Sequence, residues 1–270
     1  MGRDDDMKCN RAAAGGTEVW RGIKIATLST QPLQHRTIGI VLAGGSSTRL
    51  KRDGQPVPGG KIWLQVAGRS LVESVCARLM GELGEVIVVA GPGQALPPLP
   101  AGVEVIADTR PGSGPLAGLA DGLRAAASST PSGGLPPPRQ ALVVSADLPL
   151  ISPAVIRLLC GALAGGKPHS AGEPQQRAPL WAVPLVAGHL QVLLSAVDLR
   201  IVTDVEAYLA SGRRDPRGLL ESLQIRAAHL VRLLPEAELR GVDPQLESFR
   251  DIDTWEDFLA AGGQMDPGTS

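Results

Sequence analysis

Short apolar runs alternate with longer segments in which apolar residues recur every three or four positions, from about residue 37 to residue 262. Continuous runs are what strands buried on both faces look like, and helical spacing between them supplies the crossovers of a parallel sheet. Residues 38–42 read as the first buried strand, stopped by Gly44-Gly45. Leu71, Val75, Leu79 and Leu83 predict a helix over 70–83, with Ser70 as N-cap and Glu73 placed for a capping box. Strands are predicted over 85–90, 103–107 and 141–145, and helices over 116–127, entered through Gly114-Pro115, and over 153–163. Beyond Gly165 the pattern loosens: a strand near 180–184, helices near 186–195 and 202–209, and a last helix from about Thr254. Gly and Pro over 132–138 predict a surface loop. The fold class expected is α/β, Rossmann-like, in three layers with a mainly parallel central sheet.

Composition narrows the function. A formal net charge of -1 and 3% aromatic residues favour small molecules over nucleic acid or a membrane surface as partners. No stretch approaches the roughly 18 to 20 apolar residues of a membrane helix, and the first residues lack a basic-then-apolar signal pattern. The three cysteines Cys9, Cys76 and Cys160 show no CxxC spacing and leave an odd count, so they are read as packing or bystander residues of a reduced, cytoplasmic protein. Residues 1–36 mix charges with Gly and Ala without periodicity and are expected to form a disordered extension, with 263–270 a tail.

The strongest chemical signal is Leu42-Ala43-Gly44-Gly45-Ser46-Ser47-Thr48-Arg49, directly after the first strand. Residues without Cβ obstruction let a backbone wrap phosphate oxygens with its N–H groups, and Arg49 adds a fork-shaped cation. The bland alternative is a simple strand-to-helix turn. Neither GxGxxG nor the Walker pattern is present: in 54–61, Gly60 takes the required lysine position and Ile62 follows Lys61. Asp147 and Asp108 each close an apolar strand. A carboxylate at the carboxyl edge of a parallel sheet sits where such folds bind ligands, and Mg²⁺ prefers carboxylate and phosphate oxygens. A lone Asp before Leu-Pro serves equally well in a turn, and two such acids from separate strand ends weaken that reading. Lys61 could neutralise a triphosphate as a point charge, against the default of a solvated lysine. The four histidines have no zinc-ligand spacing.

Together, the Leu42–Arg49 loop, Lys61, the stretch from Val105 to Leu123 with Gly114-Pro115-Leu116-Ala117-Gly118, and Val144-Ser145-Ala146-Asp147-Leu148-Pro149 resemble the molybdenum cofactor guanylyltransferase branch of the nucleotidyltransferases, over roughly 38–260. The resemblance implies one domain over 37–262, with a nucleotide-binding half at 37–150 and an acceptor-binding half at 151–262. It implies that Leu42, Ala43, Gly44, Gly45, Lys61, Asp108 and Asp147 contact the nucleotide, that Asp147 holds Mg²⁺, and that Arg49, Lys61 and Asp147 act in catalysis. The implied reaction is GMP transfer from GTP to the phosphate of molybdopterin, releasing pyrophosphate. GTP and molybdopterin are then the partners, and contact with molybdopterin-delivering or molybdoenzyme proteins stays open. Alternatives are cytidylyl transfer, transfer to a sugar or lactate phosphate, and a non-catalytic nucleotide-binding relative. Arg177-Ala178-Pro179-Leu180 and the stretch Tyr208-Leu209-Ala210-Ser211-Gly212 resemble the acceptor half.

The sequence departs from the family's pattern in three places. An insertion over 50–60, with Pro56 and Pro58, precedes Lys61. Val88-Val89-Ala90-Gly91 lacks an asparagine the family often carries, and Asp251-Ile252-Asp253-Thr254-Trp255 stands in place of Asn-x-Asn-Thr-Pro.

Overall fold

Six consecutive buried residues, TIGIVL, form strand β1 (Thr37–Leu42), which is covered on both faces as a central parallel strand must be. The structure is a computed structural model that describes residues 36–44, 50–52, 55–57, 59–129, 136–164 and 178–263. The expected extension over 1–36 lies outside these apart from Arg36, as does most of the expected loop over 132–138.

Two small antiparallel pairs follow β1: β2 (Lys51–Arg52) with β3 (Gln55–Pro56), and β4 (Gln65–Val66) with β5 (Arg69–Ser70). Next come helix α1 (Leu71–Leu83), strands β6 (Val86–Ala90) and β7 (Val103–Ala107), α2 (Pro115–Ser128), β8 (Gln140–Ser145) and α3 (Pro153–Ala164). The second half holds β9 (Trp181–Val186), β10 (His189–Leu190), β11 (Leu194–Asp198), α4 (Val202–Ala210), α5 (Pro216–Arg226), β12 (Val231–Leu234), α6 (Glu236–Arg240) and α7 (Trp255–Ala260). The main sheet has eight strands in the order β10-β9-β11-β8-β1-β6-β7, with β12 paired to β9. Strands β8, β1, β6 and β7 run parallel, whereas β11 is antiparallel to both β8 and β9. The expected three-layer, mainly parallel architecture is therefore what the chain adopts.

Period-2 alternation divides the core into two sides. Val41, Val88 and Val144 pack with α1 (Val72, Val75, Leu79) and α3 (Val155, Ile156, Leu159). Ile40, Val89 and Val143 pack with α2 (Leu116, Leu119, Leu123), α4 (Val205) and α5 (Leu219, Leu223). Cys76 and Cys160 lie in the first of these sides, and burial first of all pushes both thiols up to about 12, so they pack rather than react. A third cluster of Leu50, Leu64, Val66, Leu71, Ile252 and Phe258 joins the segment before α1 to the C-terminal stretch.

The capping box read from the sequence is formed: the Glu73 backbone N–H donates to Ser70 Oγ at 3.2 Å, and the Ser70 N–H donates to Glu73 Oε2 at 3.3 Å. The helix expected over 186–195 is not formed. Ala187 and Gly188 take left-handed φ of 48 and 79, which turns the chain back on itself. Leu194 and Ala196 then face one side of the core and Val197 the other, so β11 fills the gap between β8 and β9. A short buried apolar run suits either element, and here long-range pairing decides.

Helix α2 lies close on the sheet because Gly122 faces β1: a Cβ there would stand 2.6 Å from Ile40 Cγ2 and 3.3 Å from Val89 Cγ2. Forcing a methyl into packed side chains of this kind costs about 1–3 kcal/mol. Gly122→Ala is therefore expected to lower the urea midpoint of unfolding with an unchanged denaturant slope, and an unaltered midpoint would count against this packing.

Candidate active site

Because β8, β1, β6 and β7 are parallel, the residues that follow them all emerge at one edge of the sheet: Ala146-Asp147, Ala43-Gly44, Gly91 and Asp108. Chain order moves from β1 outward through β6 to β7 and then returns to β8 on the other side, so the order reverses between β1 and β8. Open α/β sheets bind ligands at such a reversal. The Ala146 N–H donates to the Leu42 carbonyl across it at 3.1 Å. A cleft of about 820 Å³ opens along this edge, and Leu42, Ala43, Gly44, Lys61, Asp108 and Asp147 all line it. Gly45 and Arg49 lie outside the described residues, as do Ser46, Ser47 and Thr48.

The β8 end of the cleft is charged. Gly59 and Gly60, at φ of 74 and 80, lead into a 3-10 turn over Lys61–Trp63, with Ile62 buried in the core beneath it. Lys61 Nζ lies 2.5 Å from Asp147 Oδ2 and 2.8 Å from Asp253 Oδ1. Two features place Asp253 there. Leu50 and Ile252 share the third cluster, and the Ile252 N–H donates to the Asp147 carbonyl at 3.0 Å. Burial alone would lower the pKa of the Lys61 ammonium, but the Asp147 and then the Asp253 carboxylate more than offset it, so the pKa is raised. Asp251 is shifted upward, first by burial and then by the charges of Asp253 and Asp147. One ammonium facing several carboxylates leaves surplus negative charge at this end.

The opposite end is apolar and backbone-lined. Leu42, Val89, Gly91 and Gly118 face it, and a Cβ on Gly118 would lie 3.6 Å from both Leu42 Cδ2 and Val89 Cγ1. Asp108 closes this end from β7, its carboxylate accepting the Arg110 backbone N–H at 2.8 Å. The loop behind it is fastened by Asp121, a carboxylate only 5% exposed on α2. Asp121 accepts from the Thr109 N–H at 2.7 Å and from the Thr109 hydroxyl at 2.9 Å, and it pairs with Arg124. At about 4.8 Å per strand, Asp147 after β8 and Asp108 after β7 are roughly 14 Å apart along the edge. An elongated ligand with a charged end and a flatter apolar end fits that span.

Of the residues singled out from the sequence, Leu42, Ala43, Gly44, Lys61, Asp108 and Asp147 gather in one cleft, whereas Leu180 and Tyr208, from the stretches likened to the acceptor half, lie in the α2 side of the core and do not line it. Asp253, 2.8 Å from Lys61, was visible only as part of an altered motif with no role attached. The insertion before Lys61 does not carry it away: Trp63 Nε1 donates to the Ala95 carbonyl at 3.2 Å and pins the turn beside the cleft. Among the described residues no group of three or more His, Cys, Asp or Glu side chains could hold a metal ion, and no helix is long and apolar enough to cross a membrane.

Comparison with known proteins agrees with the fold. Residues 39–214 match the MobA-like NTP transferase domain family. The chain is 31% identical over 211 residues to a "Probable molybdenum cofactor guanylyltransferase" of Mycolicibacterium paratuberculosis, covering 76% of this chain and 93% of that protein. A protein of the same name from Chloroflexus aggregans is 36% identical over 155 residues, 56% of this chain and 67% of that one. The crystal structure of molybdopterin-guanine dinucleotide biosynthesis protein A from Archaeoglobus fulgidus shares the fold with a TM-score of 0.58 at 21% identity, over 83% of this chain and 96% of that one. With its family match, its relative matched over nearly the full length of that protein, and its strand-edge cleft, this chain belongs to the MobA-like NTP transferase family of nucleotidyltransferases.

Proposed function

We propose that this chain transfers GMP from GTP to the phosphate of molybdopterin and releases pyrophosphate. The observation that carries this reading is the Lys61–Asp147–Asp253 cluster at one end of a cleft whose other end is apolar and backbone-lined. A phosphate oxygen of the acceptor attacks the α-phosphorus of GTP, forming a new P–O–P link. The bond to the β-phosphate breaks, and its electron pair leaves on pyrophosphate. Little covalent work falls to the protein, so its contribution is alignment and charge stabilisation.

The charged end suits Mg²⁺. The ion takes one or two carboxylates and completes its shell with substrate phosphates and water, whereas a cage of many protein ligands is not its habit. Asp147 and Asp253 already hold one cation, the Lys61 ammonium, between hard oxygen donors, and they would hold the metal. Bound there, Mg²⁺ would supply positive charge to the phosphate oxygens. Lys61 meets the triphosphate as it is released from the carboxylates, Gly44 presents backbone to the phosphates, and Leu42, Ala43 and Asp108 meet the nucleoside end. Arg49 is assigned, from its place in the loop, to the charge that develops on pyrophosphate. A GTP-dependent transfer also suits a protein of the cytoplasm.

A panel of GTP, CTP, ATP and UTP, each with Mg²⁺ and with molybdopterin present or absent, tests the proposal by pyrophosphate release. Release with GTP alone, and only with the acceptor present, is the expected result. Preference for CTP defeats the guanylyl assignment, and nucleotide binding without release under any condition favours a non-catalytic relative.

A further inference from the structure

We infer that Gln94 is a positioning residue that fixes the nucleobase end of the cleft by bonding two strand-end loops to each other; the inference rests on the nucleotidyltransferase reading above. Gln94 lies in the turn that leaves β6. Its side-chain Nε2 donates to the Ala43 carbonyl at 3.1 Å, and its Oε1 accepts the Gly91 backbone N–H at 2.7 Å. Its own backbone N–H donates to the Gly91 carbonyl at 3.0 Å, which closes the turn under the side chain. Ala43 and Gly91 both line the cleft, so one half-buried amide ties its floor after β1 to its wall after β6.

The chemistry at this point suits an amide of this length. One partner is an acceptor and the other a donor, and a side-chain amide carries both functions on one planar group. Ala43 is 5% exposed, so its carbonyl has little access to water once the amide is removed, and a buried acceptor left unpaired is costly. Gly91 is fitted to the arrangement, since a Cβ there would lie 3.2 Å from Gln94 Oε1. The turn is held from its far side as well, by the Trp63 indole on the carbonyl of Ala95. Gln94 therefore has a fixed base from which to set the separation of the two loops.

Position along the sheet edge says which part of the ligand this sets. The charged cluster stands after β8, on one side of β1, and Gly91 stands after β6 on the other. Phosphates drawn to the first put the base beside the second. Gln94 does not line the cleft, so it acts through Ala43 and Gly91.

The test compares the unmodified chain with Gln94→Ala and Gln94→Glu, each checked to be fully folded, with a cooperative unfolding transition, at the temperature of the binding measurement. Binding of GTP, CTP and pyrophosphate is measured by calorimetry with Mg²⁺, alongside turnover. Gln94→Ala is expected to weaken the preferred nucleotide about tenfold, as loss of a pair of hydrogen bonds to a partly buried site does, with pyrophosphate affinity unchanged and kcat within about twofold. Gln94→Glu retains the acceptor for Gly91 but sets a carboxylate oxygen against the Ala43 carbonyl, so its loss of nucleotide affinity should be at least that of Gln94→Ala. Unchanged nucleotide affinity in Gln94→Ala overturns the inference, and so does an equal loss for pyrophosphate. If the unmodified chain prefers CTP, the guanylyl assignment fails and the Gln94 comparison is read on CTP; if it binds no nucleoside triphosphate, both fail.

Discussion

Asp147→Ala is expected to lower kcat/KM for GMP transfer by about 10³-fold, the scale seen when one preorganised electrostatic group is taken from a reacting centre. The side chain stands at the end of β8, 14% exposed and 2.5 Å from the Lys61 ammonium. Its removal takes away one of two carboxylates available to a metal and leaves Lys61 paired with Asp253 alone. The backbone is a separate matter. The Asp147 carbonyl that accepts the Ile252 N–H at 3.0 Å is present in the alanine variant too, so the C-terminal segment should keep its seat. Loss of turnover without loss of the cooperative unfolding transition is thus the predicted combination. Pyrophosphate release measured against Mg²⁺ concentration checks it, and turnover equal to that of the unmodified chain would remove Asp147 from the mechanism.

Where a segment's fate was decided locally, the sequence announced it. Helix α1 carries its stripe of Leu71, Val75 and Leu79 and a capping box at its entry, and it forms where those signals put it. The four parallel strands are short enough, and apolar enough, to be strands wherever helices follow them. The second half is different. The segment 186–195, expected as a helix, instead holds the turn at Ala187-Gly188, β10 and the first residues of β11, which is extended because β8 and β9 leave a place for it. Helix α5 (Pro216–Arg226) is entered through Asp215, whose carboxylate accepts the Gly218 N–H at 2.7 Å, and the apolar pattern predicted no helix there. Its Leu219, Leu220 and Leu223 find their partners in the side of the core built by α2 and α4, a contact no local window contains.

The same division runs through the site. Ala43, Asp108 and Asp147 each follow an apolar run, and parallel strands in any order bring such residues to one edge, so their meeting was legible before any coordinates. Lys61 had no strand to place it: its charge alone made it a candidate, and the resemblance supplied the role. Its position depends on Leu50, Leu64 and Ile252 packing in a cluster assembled from both ends of the domain. Asp253 arrives by that same cluster and by one backbone bond to Asp147, and Gln94 sits in a glycine- and proline-rich turn where periodicity is silent. What escaped sequence reading is therefore the set of residues positioned by tertiary contact alone.

Lys61→Ala is expected to cut kcat/KM by about 10²-fold or more, through loss of a cation aimed at the triphosphate. Its second effect distinguishes the site from a surface ion pair. In the unmodified chain the ammonium neutralises Asp147 and Asp253, and without it these carboxylates, with Asp251 nearby, repel one another. The variant should therefore unfold at a lower temperature in EDTA and recover more on adding Mg²⁺ than the unmodified chain does, because the metal enters a gap the lysine no longer fills. The pH dependence has a definite sign. The folded pKa of Lys61 is raised above its ordinary value of 10.5, so the stability it contributes is complete below 10.5 and is lost only as pH rises through the higher folded value. In metal-free buffer, any fall in stability between neutral pH and pH 10 must then come from another group, and it should persist in the variant. Equal Mg²⁺ stabilisation of the two proteins would show that lysine and metal do not share these carboxylates.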